Sequence, residues 1–165
     1  MKDNEHRITS LFPMSSRIVT ITILINLPLI YMVIREFLDS NLVLEILSLV
    51  ILISPALIIP LRLKVTEKSL KIRRPIGEME IMLKDIQSCN LIEDGRSFIR
   101  DTVRTNGSGG LYGYIGYFEH DKYGKMRLFV THLQQCFFIQ MTDGRIFVVS
   151  SPKREEIVEF INSKN

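Results

Sequence analysis

The chain has 165 residues, 46% of them apolar and 24% charged, and a formal net charge of +3. That length allows one ordinary domain with a small appendage, and so small a net charge gives no footing for a nucleic-acid partner. Cys89 and Cys136 are too few for a disulfide scaffold and have no CxxC or Cys/His spacing, so they read as buried thiols on strands in a reducing compartment.

The apolar residues are unevenly spread. Between Arg17 and Arg62 only Arg35, Glu36, Asp39 and Glu45 are charged, whereas beyond Arg62 charge recurs every few positions. The expected division is a cytoplasmic tail (1–16), a transmembrane helical hairpin (17–61) and a cytoplasmic domain (62–165). Its two helices would be Ile18–Ile34, extended back toward Leu11 or Phe12, and Leu42–Leu61. Both approach the roughly 20 residues that cross about 30 Å of hydrocarbon.

A helix on a water-soluble core would carry a polar stripe; beyond Glu45 the second run offers only Ser48 and Ser54. Pro28 and Pro55 predict kinks, tolerated where neighbouring groups repair the lost backbone bond, and Pro60 marks the exit. Thr20, Thr22, Asn26 and Ser48 offer polar contacts between helices. A cleavable signal peptide fits poorly, because no small-x-small site precedes Arg35 and a second apolar run follows at once. Lys2, Arg7 and Arg17 precede the first run, Arg35 alone lies between the two, and six cations follow. Both termini are therefore expected on the cytoplasmic side of the inner membrane.

From Leu61 the pattern changes to alternation. Leu61–Val65, Leu70–Arg73 and Met79–Lys84 place every second apolar residue on one face, and the short EKS and PIGE connections predict an antiparallel meander. Further strands are expected at Ile86–Glu93, Leu111–Phe118, Met126–Leu133, Gln135–Met141 and Arg145–Ser150, with Asp143-Gly144 turning the last pair. Ser151 as N-cap, Pro152 behind it and Glu155 and Glu156 in the first turn predict a closing helix, with Ile157, Phe160 and Ile161 as its apolar stripe.

Two features carry candidate binding chemistry. Arg62, Lys64, Lys68, Lys71, Arg73 and Arg74 stand against Glu67 alone, a basic run just past the membrane exit that suits anionic headgroups. Lys71, Arg73 and Arg74 lead into the first turn of the meander. The segment NGSGGLYGYIG, with Asn106, Gly107, Gly109 and Gly110, is neither a Walker loop nor a dinucleotide fingerprint. Its amides could cradle an anion beside Arg100 and Arg104, or its glycines could serve positive φ in a long loop and close packing in a strand. His120 beside Glu119 and Asp121 reads as a solvated turn rather than a metal site. No catalytic arrangement, metal cluster or cofactor motif is expected.

About seven or eight strands and a closing helix are the outline of a pleckstrin-homology (PH) domain. The order of two apolar helices and then this domain resembles the bacterial PH-domain membrane proteins. The likeness covers roughly Leu61 to Ile161 and is most specific at Arg104, Asn106, Gly107, Gly109, Gly110, Gly113 and Gly116. The resemblance implies an α+β membrane protein: a transmembrane hairpin, then a mainly antiparallel β barrel or sandwich closed by a C-terminal helix. The family likeness describes a fold and does not fix a function. An anchor followed directly by a β domain with no catalytic constellation is what points to a non-enzymatic, membrane-anchored module that binds a protein partner, a second copy of itself or lipid headgroups. The alternative is a membrane enzyme or transporter component whose glycine-rich loop binds a phosphorylated or lipid substrate.

Overall fold

A computed structural model describes residues 8–38 and 42–164 of the chain. His6 and the tail cations Lys2 and Arg7, together with Asp39 in the connection between the apolar runs, lie outside the described residues.

The alternating segments form a four-stranded sheet ordered β1-β2-β3-β4. Strands β2 (Arg62–Val65), β3 (Ser69–Arg73) and β4 (Glu78–Met82) are the expected meander. Their inward residues Leu63, Val65, Leu70, Ile72 and Ile81 are buried. The fourth strand comes from the tail: β1 (Ile8–Leu11) pairs antiparallel with β2, Ile8 opposite Val65 and Leu11 opposite Arg62. Ile8 enters the core, and Ser10 is buried beside Ser151, whose hydroxyl donates to it at 2.9 Å.

Between β1 and β2 the chain makes its helical excursion. Helix α1 (Ser16–Leu38) begins with Ser15, whose carbonyl accepts from Val19 and whose hydroxyl accepts from the Ile18 amide. The second apolar run differs from the expected single helix. Helix α2 covers only Leu42–Ile53, and a tighter 3-10 segment follows over Ser54–Ile58. Pro55 is the reason: it has no N–H to continue the α-helical ladder, and its ring disfavours helical geometry at the preceding residue. Among the described residues, α1 is therefore the one helix long and apolar enough to cross a membrane, where two such spans were expected.

The second sheet has six strands, ordered β5-β9-β10-β8-β7-β6. They are β5 (Ile86–Leu91), β6 (Thr102–Gly109), β7 (Tyr114–His120), β8 (Gly124–Val130), β9 (Cys136–Met141) and β10 (Ile146–Ser150). All pairs are antiparallel except β8 with β10. The inner face, with Phe129, Phe137, Ile139 and Val149, packs on the four-stranded sheet and on α4 (Arg154–Asn162) through Ile157 and Ile161. The outer face carries Phe118, Met126, Leu128, Phe138 and Val148, and Phe98 and Ile99 of the short helix α3 (Gly95–Arg100) cover it. Coverage on both faces explains why β10, IFVVS, is buried at every position.

Three local expectations change. Helix α3 was not foreseen, although Asp94 caps it by accepting from the amides of Arg96 and Ser97 at 3.0 and 3.1 Å. Helix α4 starts at Arg154 rather than Pro152, because the Ser151 hydroxyl accepts from the Lys153 amide in a turn ahead of the helix. His120 is buried rather than solvated, its ring centroid 4.6 Å from that of Phe98 and 4.9 Å from that of Tyr123, with Nδ1 accepting from the Lys122 amide.

Both cysteines are free and buried, and burial pushes each thiol up to about 12 by disfavouring the thiolate. At pH 8 neither is expected to react with iodoacetamide in the folded chain, while both react in urea. Rapid alkylation of either without denaturant would contradict this packing.

Candidate functional site

The glycine-rich segment is a β-hairpin, not a long loop. Strand β6 runs through Asn106, Gly107, Ser108 and Gly109 into a turn at Gly110–Gly113, and β7 returns beside it. Nothing in RTNGSG alternates as a half-buried strand should; β6 forms because β7 offers it a ladder at the sheet edge. The glycines permit an unusually close approach. Gly107 stands opposite Gly116, and a Cβ on Gly107 would lie 2.1 Å from the Ile115 carbonyl oxygen. A Cβ on Gly116 would lie 2.3 Å from that of Asn106.

The turn satisfies its own backbone and docks on α1. Gly110 and Gly113 exchange amide-to-carbonyl bonds at 3.0 and 3.3 Å, and the Ser108 hydroxyl donates to the Leu111 carbonyl at 2.5 Å. Tyr112, in a left-handed conformation at φ 58°, donates its amide to Thr22 Oγ1 at 3.0 Å. The Asn26 amide donates to the Thr22 carbonyl at 2.8 Å and to the Tyr112 hydroxyl at 3.1 Å. Thr22 and Asn26 therefore join the helix to the β domain, whereas the sequence offered them as contacts between helices. Thr20 instead bonds back to the Ser16 carbonyl.

Between this hairpin and the helices lies a cleft of about 490 Å³. Ile25, Ser54, Pro55 and Ile58 line one side; Arg104, Asn106, Gly107, Ser108, Gly109 and Leu111 line the other. Arg104 and the candidate residues Asn106, Gly107 and Gly109 are thus brought together. Gly110 is buried in the turn, and Arg100 is exposed at the end of α3 outside this lining. The carboxylates nearest in sequence stand at the other end of the hairpin. Val103 pairs with Glu119 and Thr102 with His120, while Gly109 pairs with Tyr114, a separation of about 20 Å at the strand rise.

The other candidates sit on the first sheet. Lys71 lies 3.2 Å from Glu80 and 3.8 Å from Glu78. Its bond to Glu80 holds the ammonium above its ordinary range; bonds from Ser69 first and Lys71 second hold Glu80 below the usual carboxylate range. Arg73 ends β3 opposite both Arg62 and Glu78, its carbonyl accepting from the Leu61 amide at 2.8 Å. Arg74 opens the following turn, where its amide donates to the Gly77 carbonyl. Arg62, Arg73 and Arg74 therefore gather where the helical excursion re-enters the sheet, while Lys71 is turned to its carboxylate neighbours.

The close approach of β6 and β7 makes a direct prediction. Gly107→Ala meets backbone and needs positive φ, so it should cost on the order of 2–4 kcal/mol. Gly144→Ala, at positive φ with open space around it, should cost about 1 kcal/mol. Chemical denaturation of the two variants checks this, and equal losses would contradict the geometry.

A family model described as bacterial PH domain matches residues 61–165, more than half of the chain. No curated protein and no solved structure gives a significant match. The matched region begins one residue before β2 and takes in the meander, the glycine hairpin and α4. The chain belongs to the bacterial PH domain family.

Proposed function

We propose that the protein is a membrane-anchored, non-enzymatic binding module whose helical excursion inserts into the bilayer and holds the PH domain at its cytoplasmic surface. The observation that carries this reading is the exposure of α1. Only 11% of its most apolar window is buried, and Leu24, Leu27, Tyr31, Ile34 and Phe37 are each more than half exposed. A core helix of a water-soluble domain would be mostly covered, and a continuous apolar surface of this extent calls for lipid or a partner.

An unbroken crossing is met by α1 alone, and the broken segment that follows reaches nearly as far on the way back. Helix α1 is about 34 Å long at 1.5 Å per residue. The way back, α2 and the 3-10 segment, adds to about 28 Å at 1.5 and 2.0 Å per residue. The Phe12 amide donates to the Leu61 carbonyl at 3.2 Å, so the excursion leaves and re-enters at one point. An odd number of crossings would separate those ends. With both on the cytoplasmic side, Arg17, Arg62, Arg73 and Arg74 stand at the inner headgroups, which favours this orientation. The same exposed helices are where a second copy or a protein partner would join. Asp101, between α3 and β6, stands with Glu119 and Asp121 at the end of the hairpin opposite the glycine turn, which argues for binding over catalysis at that turn.

The test is fractionation of the full chain beside a variant in which a short turn replaces residues 14–59, which the Phe12–Leu61 bond leaves close enough to bridge. The full chain should remain with membranes in alkaline carbonate and be released by detergent. The shortened chain should be soluble and folded. A full chain that is soluble and monodisperse without detergent would overturn the reading.

A further inference from the structure

The cleft beneath the glycine hairpin has an apolar wall from the helices, a polar wall from β6 and one cation. Arg104 is exposed, and among the described residues no carboxylate lies within ion-pair distance of it. Its side chain runs along its own strand to Gly109, where Cδ lies 3.5 Å from the position a Cβ would take. A Cβ there would meet the arginine only in ordinary van der Waals contact, so the side chain lies flat along β6 beside Gly109, and both residues line the cleft.

The contacts of Tyr112 fix the level of this cleft along α1. Thr22 and Asn26 lie about 8 and 14 Å beyond Arg17 at the helical rise. For a helix that enters the headgroup layer at Arg17, a layer about 5–7 Å deep on each side, Thr22 lies near the level where lipid phosphates give way to acyl chains and Asn26 lies just inside them. An arginine at this level is costly unless an anion meets it, and phosphate fits the guanidinium fork with two parallel bonds. The glycine turn tolerates the same level because its backbone groups bond to one another and to Thr22, as non-helical backbone near hydrocarbon must.

We infer that the cleft holds one phospholipid of the cytoplasmic leaflet. Its phosphate sits on Arg104 with the Asn106 amide and Ser54 hydroxyl beside it, and its acyl chain lies along Ile25, Pro55 and Ile58. The inference rests on the membrane-anchored reading and names the ligand of the anchored state. The cleft volume is that of a small-molecule site, and its split between polar and apolar walls matches an amphiphile rather than a free anion.

The test titrates the full chain in nonionic detergent with a short-chain phosphatidylglycerol, and in parallel with glycerol 1-phosphate, which has the phosphate but no acyl chain. The lipid should bind saturably to the wild type and to Lys84→Gln, at least tenfold more weakly to Arg104→Gln, and with intermediate strength to Arg104→Lys. Ser54→Phe, which fills the cleft without touching the charge, should also block binding. Glycerol 1-phosphate should bind no variant in the same range. Unchanged lipid binding by Arg104→Gln and Ser54→Phe would overturn the inference, as would glycerol 1-phosphate binding as tightly as the lipid. Flotation of the wild type with phosphatidylglycerol vesicles separates the two failures. A chain that floats while Arg104→Gln binds normally sinks this inference alone; a chain that does not float sinks the anchored reading.

Discussion

The pairing of Ile8–Leu11 with Arg62–Val65 joins two segments separated by the whole helical excursion, and the bond from the Phe12 amide to the Leu61 carbonyl closes its neck. Closing so long a loop costs only a few kcal/mol more than closing a short one, because loop entropy grows with the logarithm of length. Burial of Ile8 offsets part of this, at roughly 1.5–3 kcal/mol for a side chain of that size. Polar bonds fix the rest: the Thr131 hydroxyl donates to the Pro13 carbonyl at 2.6 Å, and the Ser15 amide to the Thr131 carbonyl at 3.0 Å. The helices therefore grow out of the sheet, where a domain tethered behind an anchor would hang from one end by a linker.

A second attachment higher on α1 gives the helix a fixed attitude. Thr22 and Asn26 meet the Tyr112 turn, and that turn is reached only because Gly107 and Gly116 let two strands approach closely. The glycines thus act at a distance from the groups they position. They set the reach of the β6–β7 hairpin, the hairpin sets its contact with α1, and the contact encloses the cleft that Arg104 faces. The bacterial PH domain and the helical excursion meet along this path and at the strand neck.

Much of this was legible in the residues. Period-two alternation gave the meander, because each of its strands has one face on the core, and the closing helix showed in Ile157 and Ile161. The family resemblance reached nearly the same boundaries as the matched domain. Strand β1 was hidden because it has four residues and its second inward position is Ser10, whose burial depends on a hydroxyl partner 141 positions away. Strand β6 was hidden because glycine and polar residues carry no alternation, and only pairing with β7 makes it a strand. The length of α2 was misjudged by reading apolarity without giving Pro55 its full weight. In the candidate site, Arg104 and the glycines were visible as a motif, but their meeting with Ile25, Ser54 and Ile58 belongs to the tertiary structure alone.

The account depends most on β1 being an integral strand of the domain. Hydrogen–deuterium exchange of the full chain in lipid vesicles, resolved over residues 8–11 and 62–65, tests that claim most directly. The account predicts that the amides of Ile8–Leu11 that bond to β2 exchange as slowly as their partners in Arg62–Val65, both opening only with the domain. Exchange of residues 8–11 at the rate of an unstructured peptide, with residues 62–65 still protected, would contradict it.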